Sequence, residues 1–172
     1  FEKKVLPQLL QNDGIFQRFE KISISFATKF TGFVTSWAQQ NRFLVAQHIF
    51  NAICDNQYLQ KHLFQLDLSF GMLREYQPLS KLTSVKELWL QGSNIAENTL
   101  LSILSKTKHL QKLNISMNPH VTDNCASRLA SLEQLTELDI SYTSITDTCL
   151  EAISKLNLKQ LHLMGCPVTL KG

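Results

Sequence analysis

The sequence has 172 residues, 44% hydrophobic and 18% charged, with 17 basic and 14 acidic side chains for a net charge of +3. That is one domain's length of an ordinary globular chain, and it excludes a disordered one. The small positive excess is too slight for nucleic acid or an anionic membrane to be expected as a partner. No apolar run reaches the ~18 residues of a transmembrane helix. The cysteines Cys54, Cys125, Cys149 and Cys166 show no CxxC spacing, which argues against a zinc cluster or redox motif. No secretory leader is visible, the chain begins at Phe1 rather than Met, and a soluble, cytoplasmic protein with reduced thiols is expected.

Residues 1–62 hold 7 basic and 4 acidic side chains, and eight of the ten phenylalanines fall within the first 50 residues. This part reads as helical. Glu2 to Gln11 suits a short helix, and Asn12-Asp13-Gly14 is a turn signal. Lys21 to Phe26 alternates like a strand. Phe30, Phe33 and Trp37, then Phe43, Ala46, Phe50 and Ile53, recur with the period of one helix face.

Residues 63–172 repeat. Leu63-Phe-Gln-Leu66-Asp-Leu68 aligns with Val85-Lys-Glu-Leu88-Trp-Leu90, Leu110-Gln-Lys-Leu113-Asn-Ile115, Leu135-Thr-Glu-Leu138-Asp-Ile140 and Leu158-Lys-Gln-Leu161-His-Leu163. Each is LxxLxL, and the starts lie 22, 25, 25 and 23 residues apart. The ninth position is Gly71, Ser93, Asn118, Thr143 or Cys166, and an aliphatic residue follows two or three further on. Five registers at this period resemble the leucine-rich repeat family. Val121-Thr122-Asp123-Asn-Cys125 and Ile145-Thr146-Asp147-Thr-Cys149-Leu150 resemble the ITDxxL segment of its cysteine-containing subfamily, typical of F-box leucine-rich-repeat proteins and GALA-type bacterial effectors. Cys166 matches that subfamily's cysteine position; Gly71, Ser93, Asn118 and Thr143 depart from it.

Physical pattern supports the same alignment. The fourth and sixth positions of LxxLxL are two apart and share one face of a strand. One repeat alone cannot cover them, whereas stacked repeats bury them in a continuous core. Thr146 can cap a following helix with Asp147 in its first turn, and Leu150, Ile153 and Leu156 give its inward face. Thr122, Asp123, Leu129 and Leu132 repeat the plan, and Leu100, Ile103 and Leu104 serve the second repeat. Pro78, Pro119 and Pro167 fall between elements. The expected fold is α/β: a right-handed β/α leucine-rich-repeat solenoid, with a parallel concave sheet over residues 63–172 and an α-helical N-terminal cap over residues 1–62. Phe19-Glu-Lys-Ile22-Ser-Ile24 resembles one further, degenerate repeat.

Leucine-rich repeats bind along the concave sheet, so the resemblance directs attention to its solvent-facing positions. The fifth position down the stack gives Asp67, Trp89, Asn114, Asp139 and His162. The seventh gives Ser69, Gln91, Ser116, Ser141 and Met164. Phe70, Met117 and Tyr142 share the eighth. The expected partner-binding set is Asp67, Trp89, Gln91, Asn114, Ser116, Met117, Asp139, Ser141, Tyr142 and His162, centred on Trp89, because aromatics concentrate at binding hot spots. Against this stands the plainer reading, in which a single exposed aromatic is ordinary and the eighth-position side chains pack within their turns.

Catalytic signatures are absent from the sequence. The five histidines make no metal-ligand pair, no glycine-rich phosphate loop or GxSxG elbow occurs, and Cys125 and Cys149 read as small buried hydrophobes. No cofactor, metal or enzymatic activity is expected. The expected function is non-catalytic binding of a partner protein. The F-box/GALA resemblance implies an alternative, the substrate-recognition part of a ubiquitin-ligase adaptor, with Skp1/cullin machinery as partner if an F-box precedes these residues. Val5-Leu6-Pro7-Gln8-Leu9-Leu10 resembles the opening of an F-box helix. Thirteen lysines against four arginines, with 24 Asn and Gln, resemble the product of an AT-rich genome and fit a secreted bacterial effector acting in a host cytosol.

Overall fold

The computed structural model describes residues 43–71 and 73–169. The sequence readings on residues 1–42, including the degenerate repeat and the F-box-like segment, lie outside the described residues.

Helix α1 (Phe43–Asp55) and helix α2 (Gln57–His62) lead into the repeats. The boundary between them is set by Asn56, whose side chain accepts from Leu59 N at 3.0 Å and caps α2. Phe50, Ile53 and Cys54 are buried, and Phe50 meets Tyr76 edge-on at 6.4 Å. Gln47 is bonded twice to the backbone of Glu75, donating to its carbonyl at 2.9 Å and accepting from its N–H at 3.0 Å. Lys81 pairs with Asp55. Helix α1 is thereby fixed onto the first repeat.

Five three-residue strands follow: β1 (Gln65–Asp67), β2 (Glu87–Trp89), β3 (Lys112–Asn114), β4 (Glu137–Asp139) and β5 (Gln160–His162). They form one parallel sheet in the order β1-β2-β3-β4-β5. The register sets Leu66, Leu88, Leu113, Leu138 and Leu161 side by side, so the strand pairing reproduces the LxxLxL alignment residue for residue. The first four of these leucines are buried, whereas Leu161 is 38% exposed because no described strand stacks beyond it. Each buried leucine contributes about 1.5–3 kcal/mol.

The crossovers differ. The first is a short 3-10 helix (Gln77–Lys81) with Pro78 in its opening turn, not in a turn between elements as expected; proline's missing N–H is harmless there. The others carry helix α3 (Glu97–Lys106), a 3-10 turn (Asp123–Cys125) running into helix α4 (Ala126–Ala130), and helix α5 (Asp147–Ile153). Leu100, Ile103, Leu104, Leu129, Leu132 and Ile153 are buried as expected, while Leu150 and Leu156 are only partly so.

A ladder of acids joins successive crossovers. Glu97 Oε1 accepts from Thr122 N (2.7 Å) and Oγ1 (2.6 Å). Asp123 accepts from the same two atoms of Thr146 at 2.8 and 2.5 Å. Asp147 does so from Thr169 at 2.8 and 2.6 Å. Thr122 and Thr146 in turn cap the N–H groups of Asn124 and Thr148. The Thr-Asp pairs of the sequence are therefore both helix caps and staples between repeats.

Candidate functional site

The concave face is built from alternate strand residues. The third position places Gln65, Glu87, Lys112, Glu137 and Gln160 in register; the fifth places Asp67, Trp89, Asn114, Asp139 and His162 beside them. Adjacent members stand ~4.8 Å apart across the sheet. Lys112 lies between two carboxylates, 3.2 Å from Glu137 and 3.9 Å from Glu87. Gln65 donates to Glu87 at 3.0 Å. Trp89, Lys112, Asn114, Glu137, Asp139 and His162 border a shallow, open, polar depression.

Three of the expected binding residues have local tasks as well. Asp67, Asn114 and Asp139 each accept from the N–H two residues on, Ser69, Ser116 and Ser141, all at 2.9 Å. This is an Asx turn, and it ends β1, β3 and β4. Trp89 and His162 hold the same position with side chains that cannot make it. His162 and Asp67 are exposed, and Trp89, Gln91, Asn114 and Asp139 are half-buried.

Two expected residues do not face solvent. Ser116 is 2% exposed and Ser141 6%. Ser116 Oγ donates back to Asn114 at 2.7 Å, and Ser141 Oγ accepts from Met164 N at 3.2 Å. The Asx turn draws the seventh residue down into the end of the sheet, so these serines shape the strand ends instead of presenting a surface. Gln91, at the same position, keeps its carboxamide near solvent and approaches Met117 Sδ at 3.4 Å.

The eighth position behaves unlike an ordinary turn. Phe70, Met117 and Tyr142 adopt φ of 54°, 57° and 55°, and Gly92 and Gly165 adopt 57° and 70° in the same register. The side chains are 43%, 45% and 50% exposed, so they do not pack within their turns. The chain's own alignment carried this signal: two of five members at the eighth position are glycine, the residue that favours left-handed backbone.

Below, the ninth position closes the turns. Asn118 Nδ2 donates to the carbonyls of Leu90 (2.8 Å) and Ile115 (2.9 Å), with that of Ser116 at 3.0 Å, and its Oδ1 accepts from Ile95 N at 3.3 Å. Thr143 and Cys166 each donate to Ile140 O in the equivalent places.

The Cys54 and Cys125 thiols are unsuited to nucleophilic work. Burial pushes the Cys54 thiol up, and a hydrogen bond with Cys149, together with burial, pushes that of Cys125 up. Among the described residues no three His, Cys, Asp or Glu side chains gather as a metal site, and no helix is long and apolar enough to cross a membrane.

The leucine-rich repeat family model matches residues 107–130 and 133–154, the third and fourth repeats. Two of its repeats thus match the leucine-rich repeat model, and its fold is a β/α leucine-rich-repeat solenoid. Its fold is similar to that of internalin C2 from Listeria monocytogenes, with a TM-score of 0.52 at 23% identity over 69% of this chain and 57% of that one. The internalin inlF of the same organism gives 0.46 at 21% identity, over 69% of this chain and 45% of that one. The plant peptide hormone receptor RGFR1, in a complex with RGF2, gives 0.45 at 15% identity, over 69% of this chain and 22% of that one. The leucine-rich-repeat chain thus spans 57% or less of each. A comparison with curated proteins found no match.

Proposed function

We propose that this leucine-rich-repeat chain is a non-catalytic protein-interaction module whose partner docks on the concave sheet around Trp89, Asn114, Asp139, Tyr142 and His162, with Asp67, Gln91 and Met117 at the margins. Leucine-rich-repeat domains typically serve as interaction scaffolds. The observation that carries the reading here is Trp89. It sits on the outward face of β2, between Asp67 and Asn114 in the strand register, where no core needs filling. A rigid, half-buried indole in a polar ladder is the composition of a binding hot spot.

The biased lysine, asparagine and glutamine content supports a secreted bacterial effector working in a host cytosol. A second reading, the substrate-recognition part of an F-box-type adaptor, is supported by the Thr122-Asp123 and Thr146-Asp147 segments and by Val5 to Leu10. A pull-down from eukaryotic cytosol tests both. Wild type is compared with Trp89→Ala, after circular dichroism shows the variant folded. A partner captured only by wild type is the expected result. Skp1 and a cullin captured by both proteins would favour the adaptor. Matching lists without ligase subunits would overturn the concave site.

A further inference from the structure

We propose that the partner contributes a basic, amphipathic polypeptide segment, with large apolar side chains seated along Phe70, Met117 and Tyr142 and lysine or arginine side chains over Asp67, Glu137 and Asp139. The inference rests on the reading that a protein docks on the concave face, and it names the chemistry of that protein.

The first ground is where the apolar surface lies. Among the described residues the exposed large hydrophobics are Phe70, Met117, Tyr142, Met164 and Leu161. The first three share the eighth position and Met164 the adjacent seventh, so they run as one line along the trailing ends of the strands. Leu161 alone lies elsewhere, on the outer strand.

The second ground is strain. An L side chain is disfavoured at the left-handed φ that Phe70, Met117 and Tyr142 adopt, and a glycine is not. Gly92 and Gly165 show that the fold accepts glycine in this register. The left-handed turn recurs in every described repeat and belongs to the fold; what it leaves to explain is that three of its five positions carry large apolar side chains, 43%, 45% and 50% exposed, where glycine fits without strain.

Charge supplies the third ground. The third and fifth positions present Asp67, Glu87, Glu137 and Asp139 against a lone lysine, Lys112, already engaged by Glu87 and Glu137. The centre of the face is acidic although the whole chain carries +3. Lys86 and Lys159 stand at the leading ends of the strands, away from the apolar line, with the Lys86 ammonium 5.2 Å above the Phe64 ring. An acidic strip flanked by an apolar one is complementary to a segment with adjacent basic and apolar stripes. An anionic lipid surface would meet those carboxylates and is disfavoured.

The test uses the whole chain and two labelled synthetic peptides of about 18 residues with one leucine pattern, lysine at the polar sites of one and glutamate at those of the other. Fluorescence anisotropy should show the lysine peptide binding at least about tenfold more tightly, and more weakly as salt rises. Met117→Gly/Tyr142→Gly, and separately Glu137→Gln/Asp139→Asn, should each weaken it about tenfold or more. Both variants should stay folded and melt cooperatively within a few degrees of wild type. Glycine suits the eighth position, and the amide that Asp139→Asn introduces could accept from Ser141 N as Asn114 does from Ser116 N. Equal binding of the two peptides, no binding of the lysine peptide, or binding unchanged in either variant would overturn the inference. So would phosphatidylserine vesicles that sediment with wild type and not with the glycine variant. If the inference fails while the Trp89→Ala pull-down still discriminates, concave docking stands and only the partner's chemistry is wrong.

Discussion

The Tyr142 ring lies across Gly165 of the next repeat, so that a Cβ on Gly165 would stand 2.5 Å from Tyr142 Cδ1. Phe70 stands over Gly92 in the same way, at 2.7 Å. Each glycine both takes the left-handed φ without strain and leaves room for the preceding aromatic ring. Gly92→Ala should therefore lose about 1–2 kcal/mol, from the left-handed backbone alone, and displace Phe70. Met117→Gly should change stability by less than about 1 kcal/mol, since relief of strain offsets the added freedom of the unfolded chain. Urea unfolding of the two variants beside wild type checks both; a neutral Gly92→Ala would show that ring and backbone yield freely there.

Asn118 is 1% exposed and ties the second repeat to the third through Leu90 O and Ile95 N. Alanine would leave Ile95 N and Ile115 O buried without those bonds, and Leu90 O with only the long one from Ser93 N at 3.3 Å. Asn118→Ala is expected to destabilise by about 3 kcal/mol, as the loss of two or three buried bonds implies. Asn118→Asp should be at least as harmful, because a carboxylate meets carbonyls where the amide donates. Denaturant midpoints measure both, and a loss below about 1 kcal/mol would mean that water replaces the amide.

Much of this arrangement was legible because its cause is periodic. Leu66, Leu88, Leu113 and Leu138 announce the sheet by spacing alone, and their spacing is also the strand register. Thr122 and Thr146 announce the helix starts through the chemistry of a cap. What stayed hidden depends on contacts made at one point. Ser116 and Ser141 alternate like outward residues, yet the Asx turns of Asn114 and Asp139 end the strand before the seventh position and fold it inward. Phe70, Met117 and Tyr142 have no intrinsic preference for left-handed backbone, so only their alignment with Gly92 and Gly165 could have shown it. Trp89 was visible as an outlier from the start, because a tryptophan in a row of Asp and Asn is unexplained by either periodicity or capping.

The acid ladder makes stability depend on pH. Burial alone would raise the Glu97 carboxyl, but hydrogen bonds from the side chains of Asn124 and Thr122 and from Thr122 N outweigh it and hold the group below its ordinary range. Asp147 is held low by the hydroxyl and N–H of Thr169. A group depressed in the folded state contributes above its unfolded pKa, about 4.3 for glutamate, and the contribution is lost as pH falls through the folded value. Wild type should hold a steady unfolding midpoint from neutral pH down to about 5 on this account and weaken below about 4. Glu97→Gln, which cannot titrate at that position, should be weaker at neutral pH and lose less on acidification. Parallel slopes for the two proteins between about pH 5 and 3 would remove Glu97 from the acid response.

The cysteines offer a way to watch the stack open. Cys54, Cys125 and Cys149 are fully buried, and Cys166, in the last repeat, is half-buried. Cys125 Sγ donates to Thr122 O at 3.1 Å, and its thiol is pushed up by the bond with Cys149 and by burial, so little nucleophilic thiolate forms. Alkylation by iodoacetamide at about pH 8, read by mass spectrometry, should mark Cys166 first and leave the other three untouched until urea unfolds the protein. If Cys149 instead reacts before Cys125 well below the unfolding midpoint, the last repeats open separately from the rest, as expected where β5 leaves Leu161 uncovered. Simultaneous labelling of Cys54, Cys125 and Cys149 at the global transition would show one cooperative unit.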